Sequence, residues 1–195
     1  HSQETFSDSR KDVEEDTIVG VGEELAKVLS DYGYNVIHDK TKYDIMGEGL
    51  DRNLAYSYAR DGIGKILEEN PSIEVILDIH RDGGKKKRVT NIDGVDTAQV
   101  MLFNGISTNA KGQVIERLPN KNLQGNLAFS LQIQLKGREI FPGLMYKNYL
   151  KSLRYNQHFR ERSILAEVGT DKNTVAEAKN AMNYLGALIN EVVSE

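Results

Sequence analysis

The stretch that most constrains this chain is Ile73 to Asp82, I-E-V-I-L-D-I-H-R-D. Five branched apolar residues run almost unbroken into a histidine flanked by charges, the pattern of a buried parallel strand whose last residues emerge at the carboxyl edge of a sheet. α/β proteins place their chemistry at that edge. His80 would stand there, either as a functional group or as a polar cap to the strand.

Helical patterns surround this strand. Ile18, Val21, Leu25, Val28, Leu29 and Tyr32 recur at helical spacing, and Gly33 follows where a C-cap favours positive φ. Tyr34 to Ile37 reads as a short strand, and Gly47 and Gly49 as a loop. Ala55, Tyr58, Ala59, Ile63, Ile66 and Leu67 line a second helix stopped by Asn70-Pro71. Beyond Asp82, Gly83 to Arg88 is a basic turn, Asn91 to Gly94 another turn, and Ala98 to Phe103 a second buried-type strand. Residues 105–121 have little period and read as a rim, a lid or a surface loop. Leu123, Leu127, Leu131 and Leu135 carry a third helix ended by Gly137, and Phe141-Pro142-Gly143 is a turn. The polar run Arg154 to Phe159 leads into a third strand, Ser163 to Val168, with Glu167 near its end. In the last helix Thr174 and Glu177 form a capping box, and Val175, Ala178, Met182, Leu185, Leu188, Ile189 and Val192 form the core stripe. The alternation predicts a single three-layer αβα domain over residues 1–195 with a mainly parallel central sheet.

Composition narrows the function. A chain of 195 residues with 39% hydrophobic and 28% charged residues can bury one proper core. Its net charge of -4 argues against nucleic acid as a partner. The four cations Lys85 to Arg88 read as a solvated loop. Without cysteine there is no disulfide and no thiolate site, so a metal would need His and carboxylate ligands. No run of 18 apolar residues appears, and the chain opens at His1 without methionine, which reads as a processed chain.

Four histidines limit the possible ligands. His1 and Glu4 form H-x-x-E, two groups one turn apart that could clasp an ion, and His80 could supply a third ligand. Glu14 and Glu15 are the alternatives to Glu4, while His38 reads as a polar residue at the rim and His158 as a substrate contact or a structural hydrogen bond. Hydrolysis at such a site needs a carboxylate to move the water's proton. Glu167, emerging from an apolar strand that would raise its pKa, suits that task, although a salt-bridged or capping glutamate would look the same.

H-S-Q-E-T-F at the start, V-G-E-E-L at Val21, H-D-K-T at His38, L-D-I-H-R-D at Leu77, N-L-A-F at Asn126, P-G-L at Pro142, R-Y-N-Q at Arg154 and E-V-G-T-D-K-N-T at Glu167 occur in that order nearly end to end. Together they resemble the stage II sporulation protein P family. The resemblance implies a zinc-dependent peptidoglycan hydrolase related to the N-acetylmuramoyl-L-alanine amidases, which could also cut peptide cross-links. It implies His1, Glu4 and His80 as zinc ligands, Glu167 as the catalytic carboxylate, and Arg81, Asp82, Tyr155, Asn156, Gln157 and Asn173 as groups that touch substrate or support the ligands. It further implies an upstream membrane anchor outside this chain, a location beyond the cytoplasm at the sporulation septum during engulfment, and a glycan-cleaving partner of the stage II sporulation protein D family. Two other classes fit the same residues: a zinc carboxypeptidase-type peptidase and a non-catalytic wall-binding module.

Overall fold

A computed structural model describes residues 2–47 and 52–194. The first helix, α1 (Ile18–Asp31), starts at Thr17, whose Oγ1 accepts from the Val19 amide at 3.2 Å. It ends at Tyr32, and Gly33 turns the chain away with φ of 94°. The expected strand at Tyr34 to Ile37 does not form. Tyr34 packs against the core and donates to Asn190 Oδ1 at 3.2 Å, while Val36 and Ile37 remain exposed, so this extended segment has no neighbouring strand to pair with.

The second helix, α2 (Arg52–Glu69), stops where Asn70 bonds back to the Ile66 carbonyl ahead of Pro71. Strand β1 (Val75–Asp82) follows and continues through His80 to Asp82. A hairpin comes next, β2 (Val89–Ile92) and β3 (Val95–Ala98), turned by Asp93 at φ 51° and Gly94 at φ 87°. Aspartate and glycine at positive φ twist a two-residue turn to match its strands. The sequence shows this turn clearly, but its strands of four residues are too short to carry a visible period.

Strand β4 (Val100–Gly105) leads through the long connection to helix α3 (Leu123–Ile140), then to β5 (Met145–Lys151), β6 (Arg162–Thr170) and the last helix α4 (Val175–Ser194). Sheet order is β1-β6-β4-β5, parallel for β1 with β6 and for β4 with β5, antiparallel between β4 and β6. The sheet is therefore mixed and mostly parallel, as the alternation of patterns led one to expect. The run that opens at Ile73 is nevertheless an edge strand, and its apolar residues are only half-buried.

Side chains alternate across a strand, and that alternation divides the protein into two unequal halves. Ile164, Ala166 and Val168 of β6 join Val100 and Leu102 of β4 in the main core with residues of α1, α3 and α4. Glu167, Asp78 and His80 occupy the other face, where Tyr56 of α2 stacks against His80. The capping box of α4 forms as expected, Thr174 Oγ1 accepting from Glu177 N at 3.1 Å and Glu177 Oε2 from Thr174 N at 3.0 Å.

Helix α3 corrects the leucine stripe. Its buried side is Asn126, Phe129, Ser130, Ile133, Gln134 and Gly137, whereas Leu131 and Leu135 lie more than half exposed at 51% and 56%. Nor does Gly137 end the helix. It sits inside it, where a Cβ would collide with Met145 and Leu188, so the glycine is needed for close approach and not for φ. Residues 105–121 are a pinned rim, held by Ile106 N to Lys151 O at 2.8 Å, the Thr108–Val114 bridge and Arg154 Nη1 to Pro119 O at 3.0 Å.

Among the described residues no helix is long and apolar enough to cross a membrane.

Candidate active site

Pairing of β1 with β6 puts His80 beside Glu167 on one face of the sheet. The amino-terminal segment then brings Glu4 over them. Thr5 bridges to Thr17, Ile18 N donates to Glu4 O at 2.9 Å, Phe6 enters the core and Ser7 N donates to Asn173 O at 2.9 Å. Ser2 Oγ donates to the buried Asp44 Oδ1 at 2.7 Å, which fixes the start of the segment. A segment without regular secondary structure is thereby tied to α1, to Asp44 and to the loop before α4.

Glu4 Oε1 lies 3.1 Å from His80 Nδ1, and Glu4 Oε2 accepts from the Arg81 amide at 2.9 Å. On the other side of the ring, His80 Nε2 is 3.0 Å from Asp78 Oδ1. The imidazole thus stands between two carboxylates, only 4% exposed. Burial alone would push its pKa down, but Asp78 and Glu4 outweigh that and raise it to about 10. Burial likewise opposes ionisation of Glu4, and the His80 hydrogen bond overcomes it to hold the carboxyl below its usual range.

Glu167 behaves in the opposite way. Burial pushes its carboxyl up to about 7, and the charges of Glu4, Asp82 and Asp78 add to the shift against the pull of His80. Its Oε2 is buried with no hydrogen-bond partner among the described residues. A carboxyl poised near neutrality with an open oxygen can take and give a proton.

Of the expected ligands, Glu4 and His80 come together and His1 lies outside the described residues. Among the described residues no three His, Asp or Glu side chains form a metal-binding group. Glu14, weighed as an alternative to Glu4, is exposed and pairs with Lys42 at 3.0 Å, and Glu15 is also exposed. Arg81 Nε donates to Thr5 O at 2.8 Å, tying the amino-terminal segment to β1, and Asp82 Oδ2 accepts from Arg88 Nη2 at 2.7 Å.

The remaining expected contacts have structural partners. Tyr155 stands edge-on to Tyr56 and to Phe103, building an aromatic wall beside His80. Asn156, at φ 58°, donates to the Tyr56 carbonyl at 2.8 Å. Asn173 is fully buried and spends both ends of its amide, accepting from Thr170 N and Arg88 N and donating to Arg88 O and Glu177 Oε2. It locks the basic turn to α4 and has no polar atom left for a ligand. Gln157 accepts from Gly105 N at 2.8 Å and donates to Phe103 O at 2.7 Å. Gln157→Leu should therefore remove the partners of the buried Gly105 amide and the half-buried Phe103 carbonyl and lower stability by about 2–3 kcal/mol, read from urea unfolding.

The other two histidines stand apart from this cluster. His38 has a buried Nδ1 without a partner among the described residues, its ring against Gly22. His158 packs on Phe159, and burial together with Arg154 and Arg60 lowers its pKa to about 4. Between pH 4 and its unfolded value near 6.5 the unfolded chain binds the extra proton. Stability should accordingly fall as pH drops through that window, and His158→Phe should flatten the dependence of Tm on pH there.

Sequence reasoning missed Asp78, Asp44 and Tyr56. Asp78 had a signal, since D-x-H at period two must share one face of a strand. Asp44 and Tyr56 had none, because their partners are distant in sequence.

A family model described as stage II sporulation protein P matches residues 1–190. Stage II sporulation protein P of Bacillus subtilis (strain 168) is 25% identical over 180 residues, covering 88% of this chain and 42% of that protein. The chain thus spans less than half the length of this curated relative. Among solved structures, the CwlD amidase from Clostridioides difficile in complex with the GerS lipoprotein superposes with a TM-score of 0.58 at 13% identity, over 90% of this chain and 84% of that one. An N-acetylmuramoyl-L-alanine amidase from Clostridium difficile 630 gives 0.53 at 15% identity, over 98% and 86%.

Proposed function

This chain belongs to the stage II sporulation protein P family, and from that premise we propose that it is a zinc-dependent peptidoglycan hydrolase of sporulation. It cleaves the amide between N-acetylmuramic acid and L-alanine, with cross-link peptide bonds as a further target, in wall outside the cytoplasm, where an upstream segment would anchor it. The observation that carries the reading is Glu167: a buried carboxyl held near neutrality, with an unpartnered oxygen, beside His80 and Glu4.

The donor set fits a divalent cation. An imidazole and an ionised carboxylate already meet at 3.1 Å, Asp78 meets the other ring nitrogen at 3.0 Å, and Glu167 lies beside them on the paired strand. His1, Glu4 and His80 would hold the zinc, and Asp78 would orient the His80 ring. When bound, the ion lowers the pKa of water from about 15.7 to roughly 7 and polarises the scissile carbonyl. Glu167 takes the proton of the attacking water on Oε2 and delivers it to the departing amine of L-alanine. Tyr56, Tyr155 and Phe103 wall off one side of the site, keeping it poor in water so that the proton stays between Glu167 and the substrate.

Digestion of purified peptidoglycan with and without zinc, with products identified by mass spectrometry, tests the reaction. Free stem peptides with an amino-terminal L-alanine, released only when metal is present, are expected. A wall-bound protein that releases nothing in excess zinc overturns it in favour of a binding module, and release confined to carboxy-terminal residues favours a carboxypeptidase.

A further inference from the structure

The open face of the sheet continues away from Glu167 toward the free edge of β5. Glu167 pairs with Met101 of β4, and Phe103, two residues on, pairs with Tyr149 of β5. Paired residues and residues two apart share a face, so Tyr149 and Lys151 lie on the face that carries Glu167. Tyr149 stands two strands over and two residues along, about 12 Å from Glu167, and Lys151 two residues farther, about 16 Å from it. Ring contacts join the two places without a gap: Tyr149 to Phe103 at 5.5 Å, Phe103 to Tyr155 at 5.0 Å, Tyr155 to Tyr56 at 5.4 Å, and Tyr56 to His80 at 6.5 Å.

This edge carries cations in an unusual setting. Lys147 Nζ lies 4.7 Å from the centre of the Tyr149 ring and 5.3 Å from that of Tyr146, and Lys151 Nζ lies 5.2 Å from Tyr149. Arg88 covers the Tyr146 ring at 4.6 Å, bonds Asp82 through Nη2, and keeps a buried Nη1 with no hydrogen-bond partner among the described residues. Four other lysines, Lys40, Lys42, Lys87 and Lys172, each meet a carboxylate. Among the described residues Lys147 and Lys151 meet only aromatic faces, which hold an ammonium group without neutralising it. In a chain of net charge -4 this makes a positive strip on the face that carries the acidic centre.

We propose that the β5 edge, through Lys147 and Lys151, is a subsite for the carboxylates of peptidoglycan stem peptides. The inference rests on the hydrolase reading for the identity of the polymer. Of its two parts, the stem peptide carries free carboxylates, whereas a glycan whose lactyl groups are amidated carries none. Cations along the strip draw the stem across the sheet face, so that the amide at its amino end arrives at Glu167.

Cosedimentation with purified sacculi, in a Glu167→Gln background that leaves the wall intact, tests the subsite. Lys147→Gln with Lys151→Gln should weaken binding about tenfold at low salt, and the Arg pair at the same positions should restore it. Both lysines are exposed, and circular dichroism checks that each variant is folded. Chemical amidation of the wall's carboxylates should weaken binding of the lysine-bearing protein by a similar factor and erase the difference between variants. Equal binding by the Gln pair, a difference that survives amidation, or no binding to sacculi overturns the subsite. A protein that binds through these lysines yet hydrolyses nothing when Glu167 is present and zinc is supplied sinks the hydrolase reading and leaves the subsite standing.

Discussion

Glu167→Gln is expected to reduce hydrolysis by about three orders of magnitude, within the range for loss of a general acid–base group. The substitution keeps the side chain's shape and removes only its ability to exchange a proton. Bound zinc, measured after dialysis, should stay the same, which separates loss of chemistry from loss of metal. The same variant reports on stability. In the metal-free protein the carboxyl is raised from 4.5 to about 7, so folding disfavours its ionised form. Below about 4.5 both states hold the proton and nothing is lost; as pH rises through 7 the folded state must surrender it in a buried place. At about 1.4 kcal/mol for each tenfold change in proton affinity, wild type should lose up to about 3 kcal/mol relative to Glu167→Gln between pH 4.5 and 8. Urea unfolding of both metal-free proteins across that range checks this, and parallel stability curves would show that Glu167 titrates normally.

Glu4→Ala is expected to be the most damaging single change to the fold near the site. It removes the partner of His80 Nδ1 and the acceptor of Arg81 N in one step, at a position only 6% exposed. His80 keeps Asp78 at 3.0 Å, so the loss falls on one side of the ring and on the Arg81 amide, at a cost of about 2–3 kcal/mol. It should also abolish zinc retention, since one of the three proposed ligands is gone. Glu4→Gln separates the two effects: the amide can still accept from Arg81 N, so stability should recover in part while metal binding and hydrolysis do not. Retention of zinc by Glu4→Ala would instead exclude Glu4 from the ligand set.

The chain's own pattern determined the elements whose signals are local. Thr174 and Glu177 announced the start of α4, Gly33 the end of α1, and Asn70-Pro71 the end of α2, because caps and breakers act within a few residues. The run into His80 and the apolar setting of Glu167 likewise marked the two strands that carry the site. Pairing decided the rest. Only the tertiary structure shows that β1 is an edge strand, that Tyr34 to Ile37 has no partner strand among the described residues, and that the face of α3 toward the core is the one with Asn126, Phe129 and Ile133 and not the one with Leu131 and Leu135. Burial of a helix face depends on what lies opposite it, which no periodicity can state. The site follows the same division: residue types named Glu4, His80 and Glu167, but their meeting required parallel pairing of β1 with β6 and an irregular segment held by Asp44, Thr17 and Asn173. Those contacts join residues far apart in the chain, and their free energy exists only once the core has brought the ends together.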